Sequence, residues 1–310
     1  QLTTSGVQYV GSTSLPPTLV VWTVSGLEDG KDYKIIVNGT TAYGTQVTAG
    51  FVSFSGRYDS PGLPIPIELT NKCDEGYIII HTASPEPIGG DVKMLKLKRR
   101  KYGDFNWVTI NSAAIIPTRP YDVVWHDNLA QSGVVYEYAV VPISSGVEGR
   151  YVTDNILARF NGLFICSKDK IYKLYEGIAY GSGQREQKVG VFEPYGRKYP
   201  IVTSNANINY DTGSFSGLIL PENYMETGKI DRKAIVERKD AILDFLTNKS
   251  AKIIKDFNTN IWLCMITGSP SVTYESSFGM GVVSIDASWV EIGDVNNSSD
   301  MYSAGLIEEV

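Results

Sequence analysis

Val134-Val135-Tyr136-Glu137-Tyr138-Ala139-Val140-Val141-Pro142 is the stretch on which the reading of the fold turns. Valine and tyrosine suit a half-buried pleated surface, and the proline that closes the run cannot donate to a strand ladder. Upstream, runs of the same kind recur at short spacing: Asp122-Val123-Val124-Trp125-His126, Trp107-Val108-Thr109-Ile110, Val92-Lys93-Met94-Leu95-Lys96-Leu97 and Gly76-Tyr77-Ile78-Ile79-Ile80-His81-Thr82. Several alternate apolar and polar residues, as strands do when one face lies on a core. Strands at this spacing predict a β-sandwich over residues 61–156. Ser60-Pro61-Gly62-Leu63-Pro64-Ile65-Pro66, with its three prolines, reads as the linker leading in.

Residues 1–60 read as a small β module. Leu19-Val20-Val21-Trp22-Thr23-Val24 is one strand and Lys34-Ile35-Ile36-Val37 the next. Leu27, the Asp29-Gly30 turn and Tyr33 have the spacing of a tyrosine corner, in which a phenol hydroxyl bonds back to the turn backbone. The module is short for a whole sandwich, and a chain beginning at Gln1 suggests processing or trimming upstream.

Residues 157–310 differ in kind. Strand-like runs at Gly162 to Cys166 and Lys170 to Tyr175 precede a hydrophilic stretch, Glu176 to Gln187, expected as an extended loop. Lys188 to Phe192, Tyr199 to Val202 and Ser214 to Leu220 follow as strands. One helix is expected over about 231–248: Ile235, Ile242, Phe245 and Leu246 share a face, opposite Glu237, Lys239, Asp240 and Asp244, with Asp231 as its cap. Lys252 to Asp256, Ile261 to Ile266 and Val282 to Trp289 read as closing strands, and Thr267 to Met280 as a second polar loop.

Composition narrows the function. A net charge of -6 argues against a general binder of nucleic acid or anionic membrane. No apolar run approaches the roughly 18 residues that span a bilayer, so no membrane insertion is expected. Cys73, Cys166 and Cys264 are too far apart for a disulfide framework or a zinc motif, and they point to a reducing setting. Cys264, inside Ile261-Trp262-Leu263-Cys264-Met265-Ile266, is expected to be a buried, inert thiol.

Two resemblances follow from these runs. Leu129 through Tyr136-Glu137-Tyr138-Ala139-Val140-Val141-Pro142 resembles the late strands of a fibronectin type III domain, although seven positions separate Leu129 from Tyr136 and no proline sits in the corner. The last half of the chain resembles the barrel domain of phage tail-tube and distal-tail or baseplate proteins. The residues that carry this are Tyr199-Pro200-Ile201-Val202 with Gly213-Ser214-Phe215-Ser216-Gly217, the helix Arg232 to Leu246, Lys252 to Asn258 leading to Ile261-Trp262-Leu263, and Ser288-Trp289-Val290-Glu291-Ile292-Gly293-Asp294. The resemblance implies a mainly β, tail-tube-like barrel or sandwich with one helix, assembled in rings with copies of itself and with other tail or baseplate proteins. It implies a virion tail built in the host cytoplasm, with nucleic acid met only in passage through a tail channel.

A search for chemistry returns no catalytic, cofactor-binding or metal-binding residue. There are two histidines; His81 closes a strand, and His126 points away from its neighbour Asp127 because adjacent strand residues face opposite sides. Gly213-Ser214-Phe215-Ser216-Gly217 has Phe215 where a nucleophile elbow needs its serine. Asp294 to Asp300 alternates oxygen side chains but lacks the central glycine and closing glutamate of a calcium loop. Gly177 to Gly183 has no lysine-serine ending and is no phosphate loop. Lys96-Leu97-Lys98-Arg99-Arg100-Lys101 offers a grip for an acidic neighbour or a phosphate backbone, but the favoured reading is a solvated run or one protecting an exposed sheet edge. Asn38, Asn248 and Asn297 begin glycosylation patterns that carry little weight without a secretory context. The expectation is a non-enzymatic tail or baseplate component; the alternative is a module that binds glycan or protein on a cell surface.

Overall fold

The computed structural model describes residues 32–40, 44–55, 65–89, 92–274 and 282–308. The chain is mainly β. β1 (Asp32–Thr40) and β2 (Gln46–Ser55) form an antiparallel hairpin with a bulge at Val37/Asn38, and Tyr33 stacks on Phe54 at 5.9 Å. The strand around Trp22, the Leu27 side of the N-terminal corner and most of the proline linker lie outside the described residues. Ile65, at the end of that linker, is buried in the core that follows.

Two sheets form the next layer pair. β3 (Glu68–Lys72), β4 (Tyr77–Ser84) and β7 (Tyr121–Asp127) pair in that order. β10 (Thr153–Leu157), β8 (Val135–Ser144), β5 (Val92–Lys101) and β6 (Val108–Ala114) form the other sheet, with the short β9 (Val147–Glu148) on β8. Three strands against four, all antiparallel and in this order, make a fibronectin type III-like sandwich. Ile78, Ile80 and Trp125 from one sheet meet Leu95, Leu97, Tyr138 and Val140 from the other. Each such side chain, fully buried, contributes roughly 1.5–3 kcal/mol. The Tyr136 hydroxyl accepts the Gln131 backbone N–H at 3.1 Å, so the corner contact forms despite the longer spacing and the missing proline.

β11 (Leu163–Cys166), β12 (Ile171–Phe192), β13 (Ile201–Ile219), β14 (Lys252–Lys255), β15 (Ile261–Tyr274) and β16 (Val283–Gly293) close a barrel in the order β11-β12-β13-β16-β15-β14. Leu163, Ile165, Leu174, Phe215, Ile254, Cys264, Ile285 and Trp289 share one core. Between β13 and α2 lies a single turn, α1 (Tyr224–Thr227). α2 (Arg232–Thr247) adds Ile235, Ile242, Phe245 and Leu246 to the barrel core, and its Asp231 cap accepts the N–H groups of Lys233 and Ala234. Gly213 and Gly217 face inward where there is no room: a Cβ would stand 2.7 Å from the Trp289 ring and 2.8 Å from Leu174 Cβ.

Three local expectations change. Glu176 to Gln187 is not a loop but part of β12, its backbone satisfied by cross-strand pairing with β13 from Ala179↔Ser216 to Gln187↔Asn209, which a polar sequence does not reveal. The second expected loop is largely β15, which runs to Tyr274. The polar tail after the last strand winds into α3 (Ser298–Ser303), capped by Asn297 and anchored by buried Met301.

The sandwich and barrel share a core. Phe164, Cys166, Ile253 and Leu263, from the other face of β11, β14 and β15, join Met301, Leu306 and Ile307 in the cluster that also fills the sandwich.

Candidate interaction surface

β12 pairs with β11 only as far as Leu174, and β13 pairs with β16 only from Thr212 onward. Between Glu186–Phe192 and Ile201–Tyr210 the two strands therefore run as a ribbon whose outer edges pair with no further strand among the described residues, while Asp211, at its base, donates its N–H to Glu291 at 2.7 Å. The register sets Val191 against Val202 and Phe192 against Ile201. By alternation, Val189, Val191 and Val202 fall on one face, each at least half exposed, while Phe192 and Ile201 fall on the other. Tyr195 and Tyr199 stand exposed in the turn. Unpaired edges and apolar side chains on both faces mark a surface that another chain covers.

The basic run occupies no edge, which corrects the protective reading. β5 lies between β8 and β6, so Lys98 and Arg99 are buried and each cation needs a counter-charge. Lys98 pairs with Glu148. Arg99 Nη1 donates to both Asp127 carboxylate oxygens at 2.9 and 2.8 Å. Arg100 Nε reaches Glu137 at 2.7 Å, its guanidinium 4.3 Å from the Trp107 ring centroid. The Tyr138 hydroxyl and the Leu129 N–H also donate to Asp127, at 2.7 and 3.0 Å. Burial alone would raise the Asp127 pKa, but the Arg99 charge and these hydrogen bonds hold it below the usual carboxylate range.

A second buried cation stands at the sandwich–barrel junction. Lys255 Nζ donates to the carbonyls of Asn128 at 2.6 Å and Ala130 at 2.8 Å, and lies 4.3 Å from the Phe160 ring centroid. Burial pushes its pKa down to about 8. Cys166 donates to the same Asn128 carbonyl, and burial pushes its thiol up to about 11. Cys264 is buried in the barrel core, where burial raises its pKa strongly, so neither thiol is poised as a nucleophile.

The remaining residues singled out in the sequence are used structurally. His81 sits within β4 rather than at its end, its ring nitrogens 3.1 Å from Glu68 and 3.0 Å from Asp122. Exposed His126 stacks on Tyr77 at 4.6 Å, while Asp127 turns inward. In the segment read against a calcium loop, Asp300 Oδ2 accepts the Asp294 N–H and Asp294 Oδ1 accepts the Asn296 N–H. Phe215 is barrel core, and its neighbours Ser214 and Ser216 line a shallow groove of about 270 Å³ with Ser269, Ser271, Asp286 and Ser288. Among the described residues no three His, Cys, Asp or Glu side chains converge as metal ligands, and no helix is long and apolar enough to cross a membrane.

Comparison with known proteins adds little. No protein-family model matches the chain, and no curated protein does. Among solved structures, domains d3–d4 of the rat CD45 extracellular region match over 50% of this chain and 79% of theirs, at 16% identity and a TM-score of 0.22. The chicken CNTN1 FN1–FN3 domains match over 59% and 71%, at 11% identity and a TM-score of 0.24. The C. elegans twitchin kinase region matches over 74% and 39%, at 11% identity and a TM-score of 0.24. Likenesses this weak establish no relationship; the sandwich assignment rests on strand order.

Proposed function

We propose that this chain is a non-enzymatic structural subunit of a phage-type tail or baseplate, assembling with copies of itself into a ring. The ribbon of β12 and β13 is the observation that carries this reading. The barrel is closed, whereas the ribbon extends from it with neither edge paired to a further strand among the described residues and with apolar side chains on both faces. An isolated two-stranded ribbon is marginal in water, and pairing or packing against a neighbour relieves that. The resemblance of the last half of the chain to tail barrels supplies the biological setting, with other tail or baseplate proteins as further partners.

Light scattering with negative-stain imaging of the full chain tests it. A ring of defined stoichiometry is expected, reduced to monomer by Val191→Asp with Val202→Asp. A wild-type chain that stays monomeric at every concentration sinks the reading. The serine-lined groove around Asp286 favours a second one, a module that binds a polyhydroxylated glycan. That role needs no oligomer, and a glycan array probed with the chain separates the two.

A further inference from the structure

The charge on the ribbon tip is opposite to that of the molecule that carries it. Residues 188–202 hold three cations, Lys188, Arg197 and Lys198, against one carboxylate, Glu193, on a chain of net charge -6. The tip is thus two charges positive, and the rest of the chain carries -8. Lys198 lies 5.4 Å from the Tyr199 ring centroid, and neither it nor Arg197 has an ion-pair partner among the described residues. A tip that is cationic and aromatic is matched by an acidic surface with aromatic rings within reach.

Such a surface lies where sandwich and barrel meet. Glu75, in the turn between β3 and β4, and Glu222, just past β13, are both exposed. Glu222 follows β13, whose Leu218 pairs with Tyr175, two residues beyond the Lys173 that holds Asp74, so the strand register brings Glu222 toward the Asp74–Glu75 turn. Consistent with that, burial and then the negative charges of Glu75 and Glu222 push the Tyr77 phenol up. Asp74, beside them, is engaged by Lys173 at 3.5 Å, whereas Glu75 and Glu222 have no ion pair among the described residues. Tyr77 stacked on exposed His126 gives the patch its aromatic floor.

We propose that the ribbon tip of one copy docks on the Glu75–Glu222–Tyr77 patch of the next, with Arg197 and Lys198 as the charges it reads. This rests on the ring assembly proposed above and names the contact that builds it. Two different patches on one chain make a head-to-tail interface, the kind that closes into rings rather than stopping at a dimer. Opposed charges also fix the register in which tip and patch meet.

The test uses three variants of the full chain, each checked for native circular dichroism. They are Arg197→Glu with Lys198→Glu, Glu75→Lys with Glu222→Lys, and all four together. In about 50 mM salt each pair of reversals should weaken self-association at least ~10-fold, and the four together should restore it. Raising salt to about 500 mM, where screening shortens to a few Å, should shrink the difference between wild type and either reversed pair. Wild-type rings unchanged by both reversals would overturn this contact and leave ring assembly standing. Two weakened pairs with no rescue in the combined variant would overturn the match of tip to patch. A wild type that never associates would overturn the contact and the assembly together.

Discussion

Asp127 shows how much can hang on one carboxylate. It accepts from Arg99, Tyr138 and Leu129 inside the sandwich, and it is what permits a guanidinium on a central strand. Asp127→Ala would leave Arg99 buried and unpaired, and its expected cost is about 3–5 kcal/mol in urea unfolding at neutral pH. The pH dependence follows from the direction of the shift. The folded-state pKa lies below the ordinary 3.8, so the stabilisation is fully present above that value and is lost as pH falls toward the folded pKa. The gap between wild type and Asp127→Ala should therefore narrow below about pH 4. A gap that stays constant from pH 7 down to about pH 3 would contradict the assignment. The residue types were legible, since Lys98, Arg99 and Arg100 stand out in any reading. Their burial was not, because a strand's place at the centre or edge of a sheet is set by pairing.

Among the elements, the barrel strands depend on small residues as much as large ones. Gly217 has no positive φ to require glycine; its constraint is Leu174, 2.8 Å from where a Cβ would stand. Gly217→Ala is expected to cost about 1–3 kcal/mol by overpacking and to lower the melting temperature in calorimetry. Combining it with Leu174→Ala should recover part of that loss, and no recovery would point to a cause other than the clash. α2 was readable because its apolar face repeats at the helical period and Asp231 sits at its start. β12 and β13 were readable only in part. Lys188 to Phe192 and Tyr199 to Val202, in the ribbon, read as strands from their apolar residues, whereas Glu176 to Gln187 did not, because its glycine-rich polar sequence is held by pairing with β13 and carries no apolar alternation.

At the scale of the molecule, sandwich and barrel share one apolar cluster, with Lys255 bonding across the junction and α3 packed into it. Calorimetry should therefore show one cooperative transition for these two units; two well-separated transitions would show that the shared core does not couple them. By itself the sequence determined most of the strand runs, the long helix α2 and its face, and the corner tyrosine Tyr136. Those properties are local, written in periodicity, turn chemistry and residue type. Only the tertiary structure decided that β5 is a central strand, that the barrel closes, that the two units share a core and that the ribbon stands apart with its tip exposed. Each of these depends on which strand lies beside which, and residues such as Phe164 and Tyr138, 26 positions apart in sequence, enter one core only after the chain has folded back on itself.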